Sequence, residues 1–463
     1  MVHSSMSQMR IGRMIRLLTL IILFNPACAA PQNVNVDVSM SNQTLEGWGT
    51  SLAWFANGVG AWTNATPFNG LMNSLFSPTS GLGLNYLRYN IGGGDDPLCG
   101  TLGRYACITL WYHAVPGYEP TAGNYSWSQD AYQRSVATTA QSLGANLFEA
   151  VSYSAPYWMT ISGTSQGGVN GAENLASSYY GSGSGSFVDY LTTVAQHFAN
   201  NWGITFHHLE PLNEPGQNWW VAGDQKQEGC AFSLADQQTM IQDVRASLSA
   251  KGMSATQVAA MDEYQEGTLN AAAQTTANEF YNYNSTTLGD FSALNTHGYA
   301  STRGSVAVAT SAQHAGKRVT MSEWGSGDTT GKDLSNQILA DIYLTRPLAW
   351  TIWQPDYPGL MSIDYTNQTY TLNEGYYVFE NYTKFIRPGF QFIAISDPQS
   401  ISCLQSEYRD AGNRYAELEW QRSQHNIPAF SLYRHRRLGR CLPHLIDGEL
   451  QIARNYSYIE RNV

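Results

Sequence analysis

Two glutamates stand in sequence settings that suit acid–base chemistry. Glu214 lies in the stretch LNEP, and Glu323, 109 residues later, lies in SEWG. Each follows a short run typical of a buried strand, and Pro211 and Pro215 cannot join a central strand, so strand pairing must stop close to Glu214. Two carboxyl groups facing each other can cleave a glycosidic bond, one as acid and the other as nucleophile or base. A separation of about 5 to 5.5 Å would give retention and about 6.5 to 9.5 Å inversion, and the sequence leaves both open.

Eight short apolar or β-branched runs could position these side chains. They cover residues 45–54, 84–92, 145–154, 204–213, 256–264, 291–299, 317–325 and 348–355, with helix-like segments between most of them, such as 131–144, 187–203 and 234–252. This alternation predicts an α/β fold with a parallel sheet, and eight such units predict a closed (β/α)8 TIM barrel. An open doubly wound sheet is the alternative, disfavoured because no dinucleotide glycine fingerprint opens the chain.

Polar and aromatic side chains gather at the carboxyl ends of these runs. They are Arg88, Asn90, Ser152, Tyr153, Asn213, Glu214, Asp262, Glu263, His297, Tyr299, Glu323, Trp353 and Gln354. Enzymes with this barrel build their active sites at that face. We therefore expect the fourth and seventh runs to bring Glu214 and Glu323 to one mouth of the barrel.

The first 30 residues have the features of a secretory signal peptide. Three arginines precede the apolar run LLTLIILF at 17–24, and the small residues of NPACAA follow it. The apolar run is shorter than the roughly 20 residues that span a bilayer, so we expect a secreted, extracellular protein without a membrane partner. Seven glycosylation triplets fit a secreted glycoprotein; they begin at Asn42, Asn64, Asn124, Asn284, Asn367, Asn381 and Asn455.

The cysteine pattern and the net charge limit the kinds of ligand that this protein is expected to bind. In an oxidising compartment, Cys99 and Cys107, eight residues apart across a glycine-containing loop, are the expected disulfide, while the pairing of Cys230, Cys403 and Cys441 stays open. No C-x-x-C pair indicates zinc, and His207 and His208 would point to opposite faces of a strand, so we predict no metal and no other cofactor. The net charge of −11 argues against nucleic acid as a partner, and the 13 tryptophans and 28 tyrosines suit neutral sugar rings.

The two ends of the chain are expected to pair outside the barrel. Residues 31–45 alternate polar and apolar, which predicts an antiparallel strand before the barrel at 46–385. Its partners would have to come from residues 386–463. Strand alternation is hard to find after about residue 400, and residues 393–463 carry nine arginines and no lysine. A divergent surface tail, a shifted reading frame or an unspliced intron would each give such a segment.

Five separated motifs together resemble one known family. They are GWGTSLAWFANGVG at 47–60, YLRYNIGGGD at 86–95, LNEP at 212–215, SEWG at 322–325 and YYVFENYTKFIRPG at 376–389. In this order they resemble glycoside hydrolase family 30, and within it the fungal endo-β-1,6-galactanase branch, over about residues 33 to 398. The resemblance implies a retaining mechanism with Glu214 as acid/base and Glu323 as nucleophile. It also implies a side β-sandwich built from the N-terminal strand and C-terminal strands, a pattern from which the last part of the chain departs.

Position and resemblance together suggest roles for further residues. Asn213 would hydrogen-bond the sugar 2-hydroxyl, and Arg88 would keep Glu323 ionised. His297 and Tyr299 resemble family positions that orient the nucleophile, and Trp353 would be the platform under the reacting ring. Glu214 would need a pKa raised by partial burial. Looser candidates for sugar subsites are Trp54, Trp158, Trp219 and Trp220.

The sequence thus predicts a secreted, monomeric, retaining endo-hydrolase that acts on a polysaccharide. The predicted substrate is the β-1,6-linked galactan side chains of arabinogalactan, cleaved by double displacement. Another β-glycan, such as β-1,6-glucan or xylan, is an alternative, because subsite loops set specificity. A non-catalytic carbohydrate-binding protein, or a defective product that does not fold without its sandwich, are alternatives from other classes.

Overall fold

The computed structural model describes residues 35–267, 274–299, 303–357 and 359–396. Within them the strands are β1 (Asn35–Thr44), β2 (Gly47–Ser51), β3 (Tyr86–Asn90), β4 (Leu147–Val151), β5 (His208–Glu210), β6 (Gln257–Glu263), β7 (Ala293–His297), β8 (Arg318–Glu323), β9 (Ala349–Ile352), β10 (Met361–Asp364), β11 (Thr369–Leu372) and β12 (Gln391–Ser396). The α-helices are α1 (Phe55–Gly60), α2 (Ala65–Phe76), α3 (Ala131–Leu143), α4 (Phe187–His197), α5 (Leu234–Ala250), α6 (Thr276–Asn282), α7 (Ser285–Asp290), α8 (Val306–His314), α9 (Lys332–Ala340) and α10 (Glu374–Phe385).

Strands β2 to β9 form a closed parallel barrel. Each strand pairs with the next, and β9 closes the ring on β2 with Gly47 opposite Ala349. Nearly every residue of these strands is buried, as expected when side chains fill the interior and helices cover the outside. Strand β5 ends at Glu210, directly before Pro211, which cannot continue the ladder. The (β/α)8 barrel predicted from the sequence is confirmed.

The helices between the strands begin where the sequence supplies a cap. The Ser186 side chain accepts a hydrogen bond from the amide of Asp189 at the start of α4, and Ser233 does the same for Asp236 at the start of α5. Such caps satisfy amides that have no partner within the first helical turn. Both helices coincide with segments that the sequence pattern predicts as helical.

Helix α10 packs on the strands that close the barrel. Phe379 lies edge-on to Trp48 of β2, with ring centroids 5.7 Å apart, and 5.8 Å from Trp350 of β9. The indole N–H of Trp48 donates to the carbonyl of Ile386, just beyond the helix, at 2.7 Å. The aromatic contacts therefore hold this helix, which carries the last of the five sequence motifs, against the point of barrel closure.

A second sheet joins the two ends of the described chain. Strand β1 pairs antiparallel with β12, with Asn35 opposite Ser396 and Thr44 opposite Gln391. The predicted N-terminal strand thus has the predicted kind of partner. The predicted signal peptide and the tail beyond 396, with the remaining sandwich strands, Cys403 and Cys441, lie outside the described residues.

The loops at the barrel mouth contain one disulfide. Cys99 and Cys107 are bonded, as predicted, whereas Cys230 is a buried free thiol. Gln166, from the loop after β4, donates to the carbonyl of Ala106 at 2.7 Å and accepts from the amide of Gln225 at 2.9 Å, which joins three neighbouring loops. Among the described residues, none of the helices has the length and apolar character needed to cross a bilayer.

Candidate active site

Glu214 lies in the loop after β5, at the carboxyl end of the barrel. Its φ of 46° is a left-handed conformation that costs energy for a residue with a side chain. Its amide donates to the carbonyl of Asp262 at 2.9 Å, and its carbonyl accepts the indole N–H of Trp220 at 3.0 Å. These bonds fix the turn that presents the Glu214 carboxyl at the mouth.

Glu263, the last residue of β6, anchors the same loop. The amide of Gly216 donates to one of its carboxyl oxygens at 2.5 Å, and Nε2 of Gln217 donates to the other at 2.7 Å. A Cβ added to Gly216 would lie 2.7 Å from the Glu263 carboxyl and 2.8 Å from that of Glu279. Glycine at 216 therefore allows the loop that carries Glu214 to sit directly on two buried carboxyl groups.

Glu323 ends β8, three strands further round the barrel from β5. Its Oε2 accepts a hydrogen bond from Nη1 of Arg88 at 3.1 Å. Its Oε1 accepts one from the hydroxyl of Tyr299 at 2.8 Å. Hydrogen bonds to the charged form stabilise a carboxylate and fix its orientation.

Arg88 connects three carboxylates inside the barrel. Its side chain is fully buried, and besides Glu323 it contacts Glu149, through Nε at 3.0 Å, and Asp262, through Nη2. Burial alone would raise the pKa of Asp262, but the charges of Arg88 and His297 reverse this and lower that pKa to about 2. Asp262 is therefore a permanent anion at the centre of the network.

His297, at the end of β7, lies between the two candidate catalytic glutamates. Its Nδ1 is 3.0 Å from Oε1 of Glu214 and 3.7 Å from Oε1 of Glu323. Its Nε2 is 3.1 Å from Oδ1 of Asp262. Burial would lower the pKa of His297, but the negative charges of Glu323 and Asp262 outweigh burial and raise that pKa well above its ordinary value. The ring thus carries a proton that it shares with the carboxylates.

The two glutamates form a close, mutually coupled pair. An oxygen of Glu214 and an oxygen of Glu323 lie within 4.8 Å of each other, and their side chains keep 8% and 7% of their surface exposed while the supporting residues keep none. Burial raises the pKa of Glu214 against the opposing hydrogen bond from His297. Burial also raises the pKa of Glu323, to about 7, although His297 and Arg88 pull it down. The pair can thus hold one proton between two open carboxyl groups.

An aromatic wall borders Glu323. Trp353, directly after β9, packs edge-on to Trp54 at 4.9 Å and lies 5.7 Å from Tyr153, while Tyr299 packs on the same cluster. Trp54 is half-buried, and its ring stacks on His113 at 3.8 Å with 11° between the planes. The structure therefore brings two of the predicted sugar-binding tryptophans together beside the nucleophile candidate.

Of two further predicted substrate-binding residues, Asn213 has a side chain available to a ligand, whereas Trp158 is engaged in contacts within the protein. Asn213 is 4% exposed, and its side-chain oxygen has no hydrogen-bond partner among the described residues, so it can accept one from a ligand. Trp158 instead donates its indole N–H to the carbonyl of Glu119 at 2.8 Å and packs edge-on to Tyr179. Those contacts tie Trp158 to the loop after β3 and to its own loop after β4, rather than to the Trp54–Trp353 cluster.

One cluster of the mouth could also offer ligands to a metal ion. Glu214, His297 and Glu323 each bring one donor atom within 4.8 Å of the others. The guanidinium of Arg88, 3.1 Å from Glu323, and the raised pKa of His297 both compete with a bound cation. The absence of a metal stays a prediction from the sequence.

Two residues of the network carry contacts that the sequence did not assign to them. Asp262 was noted only as a polar strand end, yet it bonds Arg88, accepts a hydrogen bond from Ser322 at 2.6 Å and lies against His297. Glu149 of β4, which accepts from the Tyr86 hydroxyl at 2.6 Å, was not singled out. An acid in the middle of an apolar strand run was the available signal for Glu149.

Comparison with known proteins agrees with this geometry. The sequence model of the family described as O-Glycosyl hydrolase family 30 matches residues 31–334. An endo-beta-1,6-galactanase of Hypocrea rufa is 32% identical over 393 residues, which cover 81% of this chain and 79% of that enzyme.

Two solved structures share the fold. A conserved exported protein from Bacteroides fragilis superposes with a TM-score of 0.66 at 20% identity, covering 81% of this chain and 85% of that one. The catalytic domain of the GH30 xylanase C from Talaromyces cellulolyticus has a TM-score of 0.59 at 21% identity, covering 79% of this chain and 81% of that one. With its barrel, its two glutamates and these matches, the chain belongs to glycoside hydrolase family 30 and is an O-glycoside hydrolase.

Proposed function

We propose that this protein is a secreted, retaining endo-hydrolase of β-1,6-linked galactan, such as the side chains of arabinogalactan. The observation that carries the mechanism is the pair of carboxyl oxygens of Glu214 and Glu323 within 4.8 Å of each other. An approach this close favours the about 5 to 5.5 Å spacing of carboxyl groups in retaining enzymes over the about 6.5 to 9.5 Å spacing in inverting ones.

The surroundings of the two glutamates support different roles for them. Burial raises the pKa of Glu323 to about 7, but its hydrogen bonds from Arg88 and Tyr299 favour the anionic, nucleophilic form. Glu214 has no arginine partner among the described residues, and burial raises its pKa, which favours the protonated form that an acid needs. We assign Glu323 as nucleophile and Glu214 as acid/base.

In the first step, a carboxylate oxygen of Glu323 attacks the anomeric carbon. The bond from that carbon to the leaving sugar's oxygen breaks, and Glu214 gives its proton to that oxygen. The products are the shortened leaving chain and a glycosyl ester of Glu323. Asn213, whose side-chain oxygen is unpaired in the described structure, accepts a hydrogen bond from the sugar 2-hydroxyl.

In the second step, water replaces the ester. Esterification removes the negative charge of Glu323. The pKa values of Glu214 and His297 therefore fall, and Glu214 now acts as a base. It takes a proton from water, the water oxygen attacks the anomeric carbon, and the ester bond breaks to return Glu323 as a carboxylate. Two inversions give net retention.

The substrate assignment rests on the relative and on the chemistry of the cleft. The endo-beta-1,6-galactanase of Hypocrea rufa aligns with most of this chain. The tryptophan pair Trp54 and Trp353 offers flat apolar faces that suit uncharged sugar rings. Export of the protein follows from its N-terminal sequence, and the asparagines of five sequons, Asn64, Asn124, Asn284, Asn367 and Asn381, are exposed where glycans would attach.

Product analysis on three polysaccharides tests the substrate. The purified protein is incubated with de-arabinosylated arabinogalactan, β-1,6-glucan and glucuronoxylan. We expect β-1,6-galacto-oligosaccharides from the first and little release from the others. Preferred release from glucan or xylan would replace the galactan assignment, and folded protein inert on all three would favour a binding role.

Variants of the two glutamates test the mechanism. Glu323→Gln should lose activity by about 10⁴-fold or more while unfolding at the wild-type temperature. Glu214→Ala should hydrolyse substrates with good leaving groups faster when azide is added, with formation of a β-glycosyl azide. Glu380→Gln, on the outer face of α10 where Glu380 pairs with Lys384, is the matched control and should keep full activity. An α-glycosyl azide, or an active Glu323→Gln enzyme, would contradict the assignment.

A further inference from the structure

A line of aromatic rings begins at Glu323 and extends beyond the cluster formed by Trp54 and Trp353. Tyr299, whose hydroxyl bonds Glu323, stacks on Tyr264 with centroids 5.4 Å apart and 21° between the planes. Tyr264 in turn lies edge-on to Trp219 at 5.0 Å and 76°. The three rings form a continuous aromatic path from the nucleophile to the surface.

Trp219 and Tyr264 are tied to Glu214. Trp220, next to Trp219, donates its indole N–H to the carbonyl of Glu214 at 3.0 Å. Tyr264 directly follows Glu263, whose carboxyl group accepts hydrogen bonds from Gly216 and Gln217 of the loop that carries Glu214. Burial and the negative charge of Glu214 raise the pKa of the Tyr264 phenol. Both rings therefore belong to the Glu214 side of the cleft.

The two neighbouring tryptophans differ in solvent exposure. Trp220 is 6% exposed and packs inside the loop, whereas Trp219 is 41% exposed. Glycine at 229 makes this arrangement possible, because a Cβ there would lie 2.2 Å from the Trp220 ring. With Trp220 packed inward, the indole of Trp219 is left at the surface beside the catalytic loop.

The position of Glu214 identifies the ligand of this surface. The acid/base group gives its proton to the oxygen of the leaving sugar, so side chains around it face the leaving group rather than the sugar bound to Glu323. Trp54, Trp353 and Tyr153 form a cluster that meets this line at Tyr299 and does not include Trp219 or Tyr264. The proposed function gives that cluster to the sugar that is attacked. Trp219 and Tyr264 offer an uncharged, flat surface of the kind that suits a neutral pyranose ring.

We propose that Trp219 and Tyr264 form a subsite that binds the first neutral hexose of the leaving chain. This inference rests on the proposed function, because it takes Glu214 as the acid/base. It makes the enzyme depend on a sugar on the leaving side of the bond, as an endo-acting hydrolase would.

Two substrates with the same attacked sugar test the subsite. β-1,6-galactotetraose has leaving sugars, whereas β-galactobiosyl fluoride has only fluoride, which offers no ring to bind. Trp219→Ala should lower kcat/KM on the tetraose by about tenfold, equivalent to about 1.4 kcal/mol, and change kcat/KM on the fluoride less than about twofold. Tyr264→Phe, which keeps the ring, should follow the wild type on both, while Tyr264→Ala should resemble Trp219→Ala.

Tyr377→Ala is the matched control. Tyr377 is 53% exposed on helix α10, outside the barrel mouth, and its removal should leave both substrates unaffected. An equal loss on tetraose and fluoride in Trp219→Ala would indicate a general distortion and overturn the subsite, as would no loss on the tetraose. If the wild-type enzyme hydrolysed neither substrate, both the proposed function and the subsite would be overturned. If the wild type is active, an unexpected result for the variants overturns the subsite alone.

Discussion

Replacing Arg88 by methionine should destabilise the fold in a way that depends on pH. The guanidinium is fully buried and contacts the carboxylates of Glu149, Asp262 and Glu323. Methionine fills a similar volume but leaves these charges without their cation. Removing one partner of a buried ion pair costs about 3 to 5 kcal/mol, which is a large part of the about 5 to 15 kcal/mol that stabilises a domain.

The pKa of Asp262 gives an independent magnitude. A fall from an ordinary value of 3.8 to about 2 corresponds to about 2 to 3 kcal/mol of stability at neutral pH. Because the folded-state pKa is depressed, this contribution is present above pH of about 4 and is lost as the pH falls through about 2. Part of it comes from His297, so the share of Arg88 in this one carboxylate is smaller than the total.

The stability lost in the variant should be greater at neutral than at acidic pH. Without Arg88, burial raises the pKa values of the carboxyl groups it contacted, so the folded variant takes up protons that the unfolded chain releases, and it gains stability as the pH falls from 7 to 4. The wild type keeps its Asp262 contribution over that range. The difference in the free energy of unfolding between the two proteins should therefore be largest at pH 7 and narrower at pH 4.

Urea unfolding followed by circular dichroism at pH 7 and at pH 4 measures this difference. Arg104→Met is the control, because Arg104 is half-exposed and pairs with Asp96 at 3.3 Å, where a surface pair contributes at most about 1 kcal/mol. A loss below about 1 kcal/mol at pH 7 for Arg88→Met, or a loss that does not change with pH, would refute the electrostatic account of this network.

Other parts of the site give further expectations. Gly216→Ala should lower kcat by at least about tenfold, because the new Cβ would lie 2.7 Å from the Glu263 carboxyl that anchors the catalytic loop; steady-state kinetics beside a melting curve would show whether activity falls more than stability. Asn213→Ala should lower kcat by about a hundredfold with a small change in KM, since the bond to the 2-hydroxyl strengthens in the transition state, and a raised KM with unchanged kcat would argue for simple binding. Replacing Cys99 and Cys107 together by serine should cost up to about 2.5 kcal/mol for a closed loop of this size, and calorimetry that finds an unchanged melting temperature would show that the loop opens independently of the barrel.

The sequence predicted most of the fold because its signals are local. Strand runs, capped helices and the prolines around Glu214 each act on neighbouring residues, and the closed barrel follows from their number and order. The two glutamates at strand ends and the Cys99–Cys107 disulfide were accessible for the same reason. The pairing of β1 with β12 was also predicted, because a strand outside the barrel needs a partner.

The role of Asp262 could not be read from the pattern. Adjacent residues of a regular strand point to opposite faces, so only one of Asp262 and Glu263 should have served the barrel interior. The pairing of β6 with β7 shifts register between Met261 and Glu263, and Asp262 has a φ of 60°, a local irregularity that redirects side chains. Asp262 can thereby join Arg88 and His297 while Glu263 holds the loop of Glu214.

The sequence could only partly distinguish the aromatic residues that reach the cleft from those that do not. Trp54 adopts a φ of 68° and lies between Trp353 and His113, residues far away in the chain. Trp158 carries the same side chain in a similar loop, yet its contacts are with Glu119 and Tyr179. Which tryptophan reaches the cleft depends on long loops whose mutual packing is not a local property of the sequence.

The stereochemistry of hydrolysis tests the central claim most directly. Proton NMR would follow the anomeric signals in the first minutes of β-1,6-galactan cleavage, before mutarotation mixes the anomers. Carboxyl oxygens of Glu214 and Glu323 within 4.8 Å of each other predict that the β-anomer of the new reducing end appears first and the α-anomer follows slowly. Initial formation of the α-anomer would mean inversion, and would contradict Glu323 as the nucleophile of a double displacement.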